Sequence, residues 1–204
     1  MNVSTSQPSA ASVATAAADT GAGTSPAAEL PGTPLARALD GAMDITPQAL
    51  RGALGRFATG VTIITCLDAA GGQRVGITAN SFSALSLEPP LVLWSLRCAS
   101  ASLAAFEQAS HFAINVLAEG QLGLSRRFAS GKEPDKFGEG QWSEGLGGAP
   151  VLAGCTAVFE CENVSRQVAG DHVLFVGRVL RLADAALPPL LFHGGRYHLL
   201  GEIL

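Results

Sequence analysis

Charge, long apolar runs, basic clusters and paired cysteines are all scarce in this chain, and each shortage removes a class of protein. Only 15% of the 204 residues are charged, against 48% hydrophobic, and the net charge is −4. Most of that charge lies in residues 1–45, where Arg37 stands against Asp19, Glu29, Asp40 and Asp44, a net of −3. The rest holds 12 basic and 13 acidic residues, with no basic stripe to neutralise a phosphate backbone, which argues against nucleic acid as a partner. No stretch is long and apolar enough to span a membrane. The chain lacks the charged start and continuous apolar run of a secretion signal and is poor in Arg for a transit peptide, so we expect a cytoplasmic protein. The four cysteines, at 66, 98, 155 and 161, form no C-x-x-C pair. His111, His172, His193 and His198 show no metal-ligand spacing, and we expect no metal. No G-x-G-x-x-G joins a strand to a helix: Gly145-Leu146-Gly147-Gly148 runs into Pro150, which speaks against a Rossmann site.

What is present divides into two parts. Residues 1–45, rich in Ala, Ser, Thr, Gly and Pro, have no sustained apolar periodicity and read as a disordered leader unable to offset its ordering entropy. Residues 46–204 read as one domain, long enough for a substantial core. Thr46-Pro47 opens a helix running toward Arg56. The β-branched run from Val61 to Leu67 predicts a strand, Asp68 to Gly72 a turn, and Arg74 to Asn80 the return strand of a hairpin. Further strands are expected at 91–96, 111–117, 155–168, 173–182, 190–192 and 197–200, with helices at 101–108 and 121–128 and a long surface loop over 130–148. Cys155 and Cys161 are expected on one face of a strand with Ala157 and Phe159, as reduced core thiols. The fold class is mainly β, a small barrel with helices packed outside. Val173-Leu174-Phe175-Val176 is apolar on both faces, so one face fills the barrel and the other needs a helix or a second subunit.

The most informative stretch is Gly76 to Leu93, GITANSFSALSLEPPLVL. Its small, hydroxyl-rich residues let a flat ligand approach the backbone and offer it donors and acceptors. With Gly60-Val61-Thr62 upstream and Gly170-Asp171-His172 downstream, residues 46–204 resemble the flavin reductase family. The resemblance implies an FMN-binding split barrel, a homodimer and NAD(P)H-dependent hydride transfer to N5 of FMN or FAD. Reduced flavin would be supplied to a separate flavin-dependent monooxygenase. Such chemistry asks the protein mainly to bind and align the two ring systems. A bound-flavin reductase of another acceptor and a flavin-binding electron carrier remain alternatives. NADH is favoured over NADPH, because no Arg/Lys cluster awaits a 2′-phosphate.

The resemblance also assigns residues. Thr78, Ala79, Asn80, Ser81 and Phe82 match the segment lining the isoalloxazine and ribityl chain; taken alone they are better explained as small residues packing under a helix, and Ser86-Leu87-Glu88-Pro89-Pro90 at the family's spacing turns the balance to flavin. Thr59, Gly60, Val61 and Thr62 match a segment flanking the ring, or an ordinary strand start. Ser95, Ser100 and Ser102 match the phosphate side, where helix capping by Ser100 is the competing role; Arg97 is the nearby cation. Arg127 matches a phosphate partner, and Phe128 either a cavity wall or core. Gly170 and Asp171 suit a β-turn with Asp bonding the local backbone, whereas His172 is left free and matches the nicotinamide-side residue, the one catalytic candidate. Gly195, Arg196 and Tyr197 match a short segment near the incoming dinucleotide.

Overall fold

A computed structural model describes residues 44–202. The proposed leader, apart from Asp44 and Ile45, lies outside the described residues, as do the last two residues of the domain. Helix α1 (Pro47–Leu54) begins as expected: Thr46 Oγ1 accepts from the Ala49 N–H at 3.1 Å, with proline in the first turn. Such a cap contributes about 1 kcal/mol.

The main sheet is antiparallel and seven-stranded, ordered β3-β2-β6-β9-β10-β5-β4. Its strands are β2 (Thr62–Leu67), β3 (Arg74–Ala79), β4 (Ser83–Leu87), β5 (Pro90–Arg97), β6 (His111–Val116), β9 (Ala157–Ala169) and β10 (His172–Asp184). Helix α2 (Leu103–Gln108) joins β5 to β6, and α3 (Leu122–Ala129) follows β6 after a short 3₁₀ turn. A smaller sheet pairs β1 (Thr59–Gly60) with β11 (Leu191–His193) and β11 with β12 (Arg196–His198). Strands β7 (Trp142–Glu144) and β8 (Pro150–Leu152) form a two-stranded ribbon inside and just past the segment expected to be loop. Strand β4 is also additional to the expected elements. It sits at the sheet edge and is exposed over nearly its whole length, so it carries no buried apolar alternation to mark it.

Residues from β2, β5, β6, β9, β10 and α2 meet in one core cluster, so the sheet curls around it. At its centre Trp94 stacks on Phe175, with ring centroids 4.6 Å apart and planes 11° from parallel, while Phe106 and Phe112 meet Trp94 edge-on. Val173 and Phe175 are buried, and Leu174 and Val176 are half-buried on the opposite face. A second cluster gathers Val61, Ile63, Leu117, Phe128 and Leu190. The expected common face for two cysteines is corrected here. Cys155 precedes β9 and joins the second cluster, whereas Cys161 lies within β9 and joins the first. Burial pushes the Cys66, Cys155 and Cys161 thiols up to about 12, consistent with inert core groups.

A polar network centred on Asn115 lies deep inside. Asn115 donates to the Ile63 carbonyl at 3.0 Å and to Thr65 Oγ1 at 3.3 Å, and accepts from the Leu152 N–H at 2.8 Å. Thr65 in turn donates to the Pro150 carbonyl. This satisfied network pins β2, β6 and β8 together, and with them the base of β3.

Candidate functional site

Strand β3 is an edge of the main sheet, so alternate peptide groups along it have no sheet partner. Two side chains reveal which ones. Thr62 Oγ1 donates to the Ala79 carbonyl at 2.7 Å from the β2 side, and Lys136 Nζ donates to the Gly76 carbonyl at 3.4 Å from the other side. The peptide groups of Gly76, Thr78 and, continuing the period of two, Asn80 therefore point to the free edge. Helix α3 packs beside them because Gly76 has no side chain: a Cβ there would lie 2.6 Å from the Phe128 ring.

A cavity of about 750 Å³ opens along this edge. Residues 77–81 form one wall, residues 95–97 and 99–102 another, and residues 128–131, Lys136 and His172 complete it. Of the residues singled out from sequence, Thr78, Ala79, Asn80, Ser81, Ser95, Ser100, Ser102, Phe128 and His172 all line this cavity. Arg97 does so as well.

Several hydroxyls already have partners. Thr78 Oγ1 donates to the Ser125 carbonyl at 2.6 Å. Ser81 Oγ donates to the Ser95 carbonyl and accepts from the Ser95 N–H, each at 3.0 Å, stapling the exit of β3 to β5. These two hydroxyls hold the walls in place, and the donors that residues 77–81 leave for a ligand are backbone groups and the Asn80 amide. Ser100 Oγ accepts from the Ser102 N–H at 3.3 Å, and Ser102, not Ser100, occupies the cap position of the six-residue α2.

His172 begins β10, opposite Arg97 in register. Its Nδ1 lies 2.7 Å from Asp171 Oδ1. The Asp171 side chain thus adds a side-chain partnership to the local-backbone bond expected for it, the partnership being the larger influence on its carboxyl. The hydrogen bond from the imidazole, followed by the imidazole charge, holds the exposed Asp171 carboxyl below its ordinary range. An ionised carboxylate only accepts, so Nδ1 carries a proton and Nε2 is the nitrogen available to a ligand.

Other expected residues lie elsewhere. Phe82 turns inward against Phe159, with ring centroids 5.5 Å apart. Thr59 and Gly60 are occupied in pairing with β11, and Val61 and Thr62 are buried, each 2% exposed. Gly195, Arg196 and Tyr197 belong to the β11–β12 hairpin, where the Tyr197 hydroxyl meets Ser125 Oγ at 2.9 Å and Arg126 covers the ring. Arg127, expected to meet a phosphate, is corrected most plainly. It pairs with Glu139 at 2.8 Å and Glu133 at 3.2 Å and donates twice to the Asp135 carbonyl. It clamps the loop over 130–139 onto α3 instead of facing the cavity.

The cation that does reach the cavity from this side is Lys136, inside the segment expected to be a surface loop. Its ammonium also donates to the Phe128 carbonyl at 3.0 Å. Burial lowers its pKa. The available signal was Asp135-Lys136-Phe137, a cation and an aromatic residue together in a Gly-rich, charged segment. Among the described residues no group of three or more His, Cys, Asp or Glu side chains is placed to hold a metal ion. No helix among them is long and apolar enough to cross a membrane.

Residues 54–201 match the model of the flavin reductase like domain, and the chain belongs to that family. It is 43% identical over 150 residues to the FMN reductase (NADH) of Agrobacterium fabrum, covering 74% of this chain and 84% of the relative. It is 46% identical over 154 residues to the reductase subunit of a flavin-dependent monooxygenase from Rhodococcus jostii, covering 75% and 77%. Among solved structures, the NADH:FAD oxidoreductase of Streptomyces globisporus C-1027, in complex with NAD and FAD fragments, superposes with a TM-score of 0.72 at 35% identity, covering 78% of this chain and 98% of that one. Some matched chains are longer, this chain spanning 53% of one of them.

Proposed function

We propose that this protein is an NADH-dependent flavin reductase that binds FMN or FAD in the cavity along β3, reduces it, and releases it to a separate flavin-dependent monooxygenase. The observation that carries the reading is the convergence on one cavity of a free peptide edge, a half-buried ammonium and a half-exposed imidazole. These suit the three parts of a flavin. Unpaired peptide groups of Thr78 and Asn80 offer donors and acceptors to the polar edge of the ring. Lys136 offers positive charge to the phosphate, with the Ser100 and Ser102 hydroxyls nearby. Phe128 borders the cavity with its ring buried in the second core cluster, so it backs the wall from behind.

When bound, the flavin supplies the hydride acceptor. The protein's part is placement. His172 lines the same cavity, and Asp171 fixes which of its nitrogens faces a ligand, so the imidazole can position the nicotinamide by hydrogen bonding without acting as a proton source. Among the described residues no side chain is arranged as a nucleophile, and no Cys or His stands in a flavin-attachment motif. Binding is therefore noncovalent and exchangeable, as a supplier of reduced flavin requires. The names of the relatives, an NADH-dependent FMN reductase and a monooxygenase reductase subunit, support the same direction of transfer.

The same reading makes the curled sheet a split barrel and the protein a cytoplasmic homodimer. The four cysteines are unpaired, in keeping with a reducing compartment. The β9–β10 hairpin exposes Val164, Val168, Leu180 and Leu182 along its length, apolar surface that a second copy would cover. Residues 1–45 are a leader outside the catalytic domain. The deciding assay follows NADH oxidation with and without added flavin. Saturable acceleration by FMN or FAD supports a supplier. A rate independent of added flavin, from protein with stoichiometric bound flavin, supports a reductase of another acceptor, and no turnover at all supports a carrier.

A further inference from the structure

Relatives differ in the flavin they are named for, one for FMN and one for FAD, so kinship leaves open which flavin this chain takes. A second cavity bears on the question. It measures about 520 Å³, is bounded by residues 72–76 at the start of β3 and residues 133–137 of the clamped loop, and shares Ser102 and Lys136 with the larger one. The two cavities adjoin where the ammonium lies.

Resting on the flavin reading above, we infer that the flavin is the dinucleotide FAD, with its diphosphate beside Lys136 and its adenosine half in this second cavity. The groups present follow that order. Among the described residues Lys136 has only carbonyl partners, Phe128 and Gly76, and its lowered pKa reflects a half-buried charge that a diphosphate would offset. Glu133, which would oppose an anion, is engaged by Arg127. Beyond the junction, Gln73 and Asp135 line the cavity and suit the hydroxyls of a ribose. The Arg74 guanidinium lies over the Phe137 ring, 4.8 Å from its centroid, and forms no ion pair among the described residues. A guanidinium held flat on an aromatic ring presents its other face, a planar surface for a purine. His172 is absent from this cavity, so the nicotinamide end of the reductant has no partner there.

Calorimetric titration of the full chain with FAD, FMN and NADH, in wild type and in Arg74→Glu, tests this. The expected result is FAD binding at least about tenfold tighter than FMN, with Arg74→Glu bringing FAD down to the FMN value and leaving FMN affinity unchanged. That unchanged value also certifies that the variant is folded. Should Arg74→Glu lower FMN affinity too, Gln73→Ala at the same wall is read in its place. Equal wild-type affinity for FMN and FAD would overturn the inference, as would variants that lose NADH affinity while keeping both flavins. Both outcomes would leave the reductase reading standing. Failure of both flavins to bind the wild type would sink that reading itself.

Discussion

The turns at Gly145-Leu146-Gly147-Gly148 and at Gly170-Asp171-His172 both carry glycine at positive φ, 60° at Gly147 and 63° at Gly170, yet their surroundings are opposite. At Gly147 an added Cβ would lie 2.7 Å from His111 Nδ1. The neighbouring Leu146 N–H donates to the buried Glu160 carboxylate at 2.6 Å, which Arg181 reaches from outside at 3.1 Å. That turn is closed by packing. At Gly170 nothing lies within 4 Å of an added Cβ, and the turn delivers a half-exposed imidazole to a cavity. A glycine-rich turn therefore points to a ligand only where the space before it is empty, and that property is invisible in sequence.

The contrast can be broken first where its effect is largest. Gly147→Ala should destabilise the fold by about 2–4 kcal/mol, combining a disfavoured backbone with a steric clash, and leave flavin affinity of the folded fraction intact. Urea unfolding measures the first and flavin titration the second; unchanged stability would mean the turn is not closed by packing. His172→Ala should behave in reverse, with stability retained and kcat/KM for NADH reduced about tenfold, roughly 1.4 kcal/mol, at unaltered flavin affinity. Lost stability with a normal reductive half-reaction would make His172 a turn residue only.

Asp171→Asn should act in the same direction as His172→Ala but more weakly, about threefold in kcat/KM. Its pH dependence has a definite sign. The folded-state pKa of Asp171 is depressed, so the partnership contributes fully above the unfolded value of about 3.9 and is lost as pH falls through the lower folded value. Across the neutral range Asp171 stays ionised, and the variant's deficit should be independent of Asp171 titration. A deficit that disappears between about pH 6 and 8 would contradict this. The smallest effect is expected from deleting residues 1–43, which should leave melting temperature and flavin affinity nearly unchanged.

Much of this was legible in the residues. The β-branched run at 62–67, the small-residue return through 74–79 and the long pair joined at Gly170-Asp171 are strands because alternation and turn chemistry agree there. Most of the polar residues picked out at 78–81, 95, 100, 102 and 172 arrive at one cavity. What sequence cannot rank is Arg127 against Lys136, since both are cations with an aromatic neighbour. Their difference arises when the 130–139 loop folds back across α3, engaging one with Glu133 and Glu139 and leaving the other at the cavity. Thr59 and Gly60 are hidden for a similar reason, because their partners in β11 lie more than 130 residues along the chain. The hydroxyls of Thr78 and Ser81 look like ligand donors until their cross-strand partners are known.

The central claim is that flavin passes through this protein as an exchangeable substrate of the cavity along β3. The most direct measurement places the protein, NADH and flavin anaerobically on one side of a dialysis membrane and a flavin-reducible acceptor on the other. Reduction of the acceptor, dependent on both NADH and flavin and diminished by His172→Ala, is the expected result. Flavin that co-purifies in a one-to-one ratio, never exchanges and leaves the distant acceptor oxidised would contradict it.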